Sequence, residues 1–74
     1  MQKWEYLTVQ LANFGGGNFQ VAPRLVNEQE LKDWKKLSIG GLVNQLGNDG
    51  WEMTGTISVG GTFEHYLFFK RPKS

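Results

Sequence analysis

Ile39, Leu42, Val43 and Leu46 stand at i, i+3, i+4 and i+7, which gathers four branched apolar side chains on one stripe of a helix. Ser38 precedes the stripe as a good N-cap, and Gly47 and Gly50 can each supply the left-handed residue that closes a helix, with Asn48 and Asp49 tolerant of a turn. The helix therefore spans about 38–48 and runs directly into Trp51 and Glu52. Gly40 and Gly41 in its first turn each cost up to about 1 kcal/mol against alanine. So short a helix is marginal alone and must be held by burial of its stripe. The rest of the chain has to pack against it.

The flanking segments alternate as strands do. In residues 3–12, Leu7, Val9 and Leu11 point one way and Trp4, Tyr6 and Thr8 the other, so both faces carry large apolar groups. Gly15-Gly16-Gly17 marks a reversal, Phe19-Gln20-Val21 a returning strand, and Pro23 an edge position or the end of its pairing. After the helix, Trp51, Met53, Ile57 and Val59 share one face and Glu52, Thr54, Thr56 and Ser58 the other. Gly60-Gly61 signals a hairpin, in a register that either a two-residue or a three-residue loop would set. The last strand, residues 62–70, sets Phe63, Leu67 and Phe69 against Tyr66 and Phe68.

Two local readings compete over residues 24–37. Asn27 followed by Glu30, with Leu31 and Trp34 three apart, fits a helix from 28 to 36. Alternatively Val26-Asn27-Glu28-Gln29 is a turn between extended pieces, and Trp34 anchors a loop. The second is preferred. The expected architecture is α+β: one domain over residues 1–74, a twisted antiparallel sheet of four to five strands, and one short helix on one face.

Seventy-four residues can bury only roughly 60% of the unfolded chain's surface, and the chain has no cysteine to staple the fold. Extra stability must come from aromatic packing or from a second chain. Three Trp, two Tyr and five Phe supply the first. No apolar run reaches the roughly 20 residues of a membrane span, and the residues after Met1 lack an apolar signal core, so a cytoplasmic protein without membrane contact is expected. A net charge of +1 gives no global electrostatic case for nucleic acid.

Three landmarks, Trp4-Glu5-Tyr6, Asn44-Gln45-Leu46-Gly47-Asn48-Asp49-Gly50-Trp51-Glu52 and Tyr66-Leu67-Phe68-Phe69-Lys70-Arg71-Pro72, resemble a family of small bacterial domains of unknown function. The run Leu46, Gly47, Gly50, Trp51 and Glu52 is the most specific of them. The resemblance implies an antiparallel sheet with one helix and implies no reaction. In such domains a valine-asparagine-glycine turn precedes a tryptophan, whereas Glu28 stands here in place of the glycine.

Chemistry is thinly represented. His65 is the single histidine, too little for a usual transition-metal site, and no serine or threonine has a recognisable base-and-orienter set. Glu5 and Glu52, each after a tryptophan, read as solvated or paired with Lys70 or Arg71. The glycine runs match no nucleotide fingerprint. No cofactor or metal is expected, and no enzyme.

The surplus of rings is the informative feature. One ten-residue helix covers one sheet face, which can take Leu7, Val9, Leu11, Ile57 and Val59 and leaves Trp4, Tyr6 and one of the two sets from Phe63 to Phe69 on the other, unless Trp34 folds over as a lid. Trp4, Tyr6, Trp34, Tyr66 and Phe68 are therefore the candidate interface. The expectation is a non-catalytic interaction module that associates with itself or docks a protein partner. The alternative is a small-ligand or single-stranded nucleic-acid binder that uses the aromatic face with a basic tail of Lys70, Arg71 and Lys73.

Overall fold

The structure is a computed structural model, which describes residues 1–15, 20–59 and 64–73. The glycine loop beyond Gly15, Phe19, the Gly60-Gly61 turn and Phe63 lie outside the described residues. Five strands, β1 (Trp4–Phe14), β2 (Gln20–Val26), β3 (Gln29–Glu30), β4 (Glu52–Val59) and β5 (Glu64–Pro72), form one antiparallel sheet in the order β3-β2-β1-β5-β4. One helix, α1 (Ile39–Asn48), follows a single 3-10 turn at Trp34–Lys36. The α+β expectation holds at this level, with the sheet as the dominant part.

The alternation of β1 sorts its side chains as its sequence suggests. Leu7, Val9 and Leu11 are buried and join Leu67, Phe69 and Leu46 in one core, against which Ile39, Leu42, Val43 and Trp51 pack. Leu7 lies opposite Phe69 and Val9 opposite Leu67, so the two longest-paired strands contribute the core as facing pairs. The helix stripe is thus the cover of that face and of no other.

Both helix ends are built from local chemistry. Ser38 is extended, and its Oγ accepts the Gly41 N–H at 2.9 Å. A Cβ on Gly41 would sit 2.7 Å from that oxygen, so the second glycine of the first turn makes room for the cap. At the other end Gly50 takes φ 90°, the Trp51 N–H bonds the Leu46 carbonyl and the Gly50 N–H bonds that of Gly47. This is a Schellman closure, in which the residue after the glycine packs back on the last apolar helix residue. Leu46 and Trp51 are those two residues, which gives a physical reason for the leucine-glycine-x-x-glycine-tryptophan run. Gly47 does not close the helix as the sequence allowed; it lies inside it, without steric need for a bare Cα. Gly47→Ala is therefore expected to stabilise the fold by about 0.5–1 kcal/mol, and Gly41→Ala to destabilise it by about 1 kcal/mol through loss of the cap. Urea unfolding of the two variants checks both signs.

Residues 24–37 follow the turn reading and not a helix from 28. Val26 pairs with Gln29, and the two residues between them, Asn27 and Glu28, have φ 49° and 68°. A two-residue hairpin loop with both φ values positive is a type I′ turn, whose twist suits the strands but whose second position favours glycine. Asn27 fits its place, since its Oδ1 accepts the Thr8 N–H at 3.0 Å and its own N–H reaches the Thr8 carbonyl at 2.8 Å. Glu28 has no such compensation in its backbone. Glu28→Gly should raise stability by about 1 kcal/mol, a rise of about 4–8 °C in melting midpoint. An unchanged midpoint would show that the turn is not strained. Pro23 does not end β2: it pairs with Leu11 next to a bulge at Gln10/Leu11, beyond the reach of the short β3, where a missing N–H leaves no ladder bond unmade.

A second bulge changes the sheet's faces. The β4–β5 register shifts between Met53 and Gly55, with the Thr54 hydroxyl donating to the Phe68 carbonyl at 3.3 Å. Inserting one residue reverses the alternation beyond it. Ile57, expected beneath the helix, consequently lies beside Tyr66 on the opposite face.

Candidate functional site

The face away from α1 is built as rows across the strands. Leu25, Gln10, Tyr66 and Ile57 form one row over β2, β1, β5 and β4. Thr8, Phe68 and Gly55 form the next, and Tyr6, Lys70 and Glu52 the one after. Together with Glu28 from the turn, the side chains of the first two rows line a shallow groove of about 550 Å³. Its floor is apolar, from Leu25, Ile57, Tyr66 and Phe68, and its polar groups are Thr8, Gln10 and the Glu28 carboxylate.

The surface around this groove is open to solvent. Tyr6 is 67% exposed, Ile57 50% and Trp4 40%. Lys70 extends along this face with its ammonium 4.4 Å from the Trp4 ring centre, a cation–π contact at an exposed site worth about 0.5–1 kcal/mol.

Of the five rings read as an interface from sequence, four share this face. Trp4 and Tyr6 come from one end of β1, and Tyr66 and Phe68 from β5. Trp34 is placed apart. It packs edge-on against Phe14 with ring centres 5.5 Å apart, and the guanidinium of Arg24 and the ammonium of Lys35 lie over it at 5.5 and 5.6 Å. Phe14 continues the alternation of Thr8 and Gln10, and Ala22, opposite Ala12, is only 1% exposed. Trp34 thus closes the far end of this face and does not reach the groove, so the lid covers a part of the face only.

The basic trio is divided. Lys70 belongs to the aromatic face, whereas Arg71, one residue on, points to the helix face. There Arg71 Nε donates to Glu5 Oε1, its Nη1 donates to the Asp49 carbonyl at 2.7 Å, and the guanidinium stacks 4.2 Å from the Trp51 ring centre. Glu5 is accordingly paired, and Arg71 fastens the start of β1 to the end of α1 and the start of β4. Lys73 is exposed, and its N–H bonds the Lys3 carbonyl at 2.9 Å. These three side chains do not form one groove. Glu52, after Trp51, faces Lys70 across the strands.

His65 meets Ser58 across β4 and β5, Oγ to Nδ1 at 2.8 Å. This pair was invisible in the sequence because the hairpin register decides it. Among the described residues no carboxylate forms an ion pair with the imidazole, and the pair is exposed, so it reads as a strand-to-strand hydrogen bond. Among the same residues no group of three or more His, Cys, Asp or Glu is placed to hold a metal, and no helix is long and apolar enough to cross a membrane.

Leu25, Ile57, Thr8, Gln10 and Glu28 are the groove residues that sequence reasoning missed. The signal for Ile57 was Gly55, an isolated glycine inside a strand pattern, which often marks a bulge. No family model, curated protein or solved structure matches the chain.

Proposed function

We propose that this domain is a non-catalytic interaction module of the cytoplasm, which binds a protein surface, its own or another's, on the sheet face opposite α1. The observation that carries the reading is the open face itself, where Tyr6, Ile57 and Trp4 stay exposed around an apolar groove although the chain has a helix and a complete core on its other side. Exposed aromatic and branched side chains gathered in one place on a small domain are the composition of contact surfaces. The landmark motifs support kinship with the small bacterial domains they resemble, and they explain helix closure and the Arg71 clamp without requiring a reaction.

Nucleic acid is the less favoured occupant. A single-strand platform needs a continuous basic track beside the rings, and here the cations are split between the ends of the face, Lys70 on Trp4 and Arg24 and Lys35 on Trp34, while Arg71 is engaged on the other side. Salt separates the two readings. Sedimentation from low to high micromolar protein at two ionic strengths is expected to show association that salt hardly weakens. A monomer that instead retards a single-stranded oligonucleotide at low salt, with affinity falling about 0.7 decade per decade of salt for each phosphate contacted, would overturn the proposal.

A further inference from the structure

We infer that the open face takes an extended segment of a partner protein that carries one arginine between apolar residues, with the guanidinium seated between Glu28 and Phe68. The inference rests on the docking reading above and names the chemistry of the partner.

The selecting feature is a single charge in an apolar setting. Glu28 lines the groove from the turn that Asn27 ties to Thr8, so it flanks Thr8 on one side, while Phe68, directly opposite Thr8 on β5, flanks it on the other. Among the described residues the Glu28 carboxylate has no ion pair: Arg24 reaches Glu30 at 3.6 Å, and Arg71 is held by Glu5. Lys70, one row away, lies over the Trp4 ring and stands opposite Glu52. In the free domain Glu28 is exposed, so solvent satisfies it. A partner that covers the groove takes that solvent away, and a carboxylate left under apolar groups without a cation costs more than the contact returns. The occupant must therefore bring a positive charge to this point.

The surroundings select the form of that charge. Thr8 is shorter than either neighbour, so a flat group lying over it meets the carboxylate at one edge, the threonine hydroxyl beneath and the Phe68 ring beyond. A guanidinium donates to the two oxygens and packs on the ring, which the compact ammonium of lysine does less well. The fold already sets a cation against each tryptophan, Arg24 and Lys35 on Trp34, Lys70 on Trp4 and Arg71 on Trp51. Among the described residues none lies over Phe68.

The backbone points the same way. Glu28 holds φ 68° at a turn position that favours glycine, with no compensating bond among the described residues. Strain kept where the side chain faces a groove indicates a use for that side chain in binding. The depth of the groove selects a segment of protein. A small ligand needs most of its surface enclosed, which a shallow groove does not do. An extended segment also lies along the exposed Ile57 and Tyr6 beyond it. Association of the domain with itself at high micromolar uses the same apolar rows, and the arginine-bearing segment is the tighter occupant.

The probe is a library of random nonapeptides displayed on phage, selected on the immobilised wild-type domain and depleted on Ile57→Lys, a change outside the core. The selected peptides should share an arginine flanked by apolar residues. A synthetic copy should bind Glu28→Gln, which keeps the size of the turn residue, about tenfold more weakly than wild type. Replacing its arginine by the neutral citrulline should cost about tenfold on the wild-type domain and almost nothing on Glu28→Gln, and the first of these arms leaves the domain itself unaltered. Selected peptides without a cation, or equal affinity for wild type and Glu28→Gln, would overturn the arginine and leave the docking face standing. A selection that yields nothing Ile57→Lys rejects would overturn the face as well.

Discussion

Phe69→Ala is expected to cost about 3–5 kcal/mol, because the ring is 2% exposed and its removal leaves a cavity that the sheet cannot close. Phe69 stands between Leu7 on β1 and Met53 on β4, at the centre of a row that crosses three strands beneath the helix. A chain of 74 residues has about 4–11 kcal/mol of total stability. The variant should therefore lose about 12 °C or more in melting midpoint, and at the low end of that range it will not fold. Phe68→Ala, one residue earlier on the open face, removes the same ring from a half-buried place and should cost less than half as much. Equal losses from the two variants would mean that the two faces are not differently covered, and the account of the fold would fail with them. Thermal melts at a low, fixed protein concentration make the comparison, since association adds stability by mass action.

Arg71→Ala should cost about 2 kcal/mol. The guanidinium has three partners at once: the Glu5 carboxylate, the Asp49 carbonyl at 2.7 Å and the Trp51 ring. Each is modest for a half-exposed group, and an exposed ion pair alone would be worth at most about 1 kcal/mol. Together they join β1, the C-terminus of α1 and the start of β4, and the positive charge sits where helix carbonyls favour it. Lysine keeps the charge but loses the planar fork and the stacking, so Arg71→Lys should recover less than half of the loss. A double-mutant cycle with Glu5→Gln isolates the pair, with about 1 kcal/mol of coupling expected. Coupling indistinguishable from zero would reduce Arg71 to a stacking residue.

Much of this architecture is written locally. The stripe on α1, the Ser38 cap, the closure at Gly50 and the two faces of β1 each depend on side chains within a few residues of one another, which is the range over which periodicity and capping act. What escaped sequence reasoning depends on pairing at a distance. The bulge at Met53/Gly55 inserts one residue and sends Ile57 to the opposite face, and nothing in the alternation of residues 51–59 announces it except Gly55. Arg71 and Glu5 are 66 residues apart; their pairing was among the readings open to the sequence, but the further bonds of Arg71 to the Asp49 carbonyl and the Trp51 ring, which separate it from the basic tail, were not. The Ser58–His65 bond waits on the hairpin register. The five-ring interface was divided for the same reason: four of the rings come from β1 and β5, which alternate in step, while Trp34 arrives by a left-handed Asp33 and a 3-10 turn that set it on Phe14.

Glu28 belongs to both the fold and the site. Its positive φ is a cost that glycine would remove, and its carboxylate is the one charged group among the described residues that line the groove. Glu28→Gly is expected to stabilise the monomer whatever the face binds, which separates the contribution of the turn from that of the surface.

Sedimentation equilibrium of the wild-type chain beside Ile57→Lys, both at high micromolar, tests the docking face most directly. Ile57 is half exposed and lies outside the core, so the substitution should leave the melting of the subunit unchanged at low concentration. The wild type should sediment at twice the subunit mass and the variant at 8.4 kDa. Association of both proteins to one and the same mass above 8.4 kDa, indifferent to lysine at Ile57, would contradict the account.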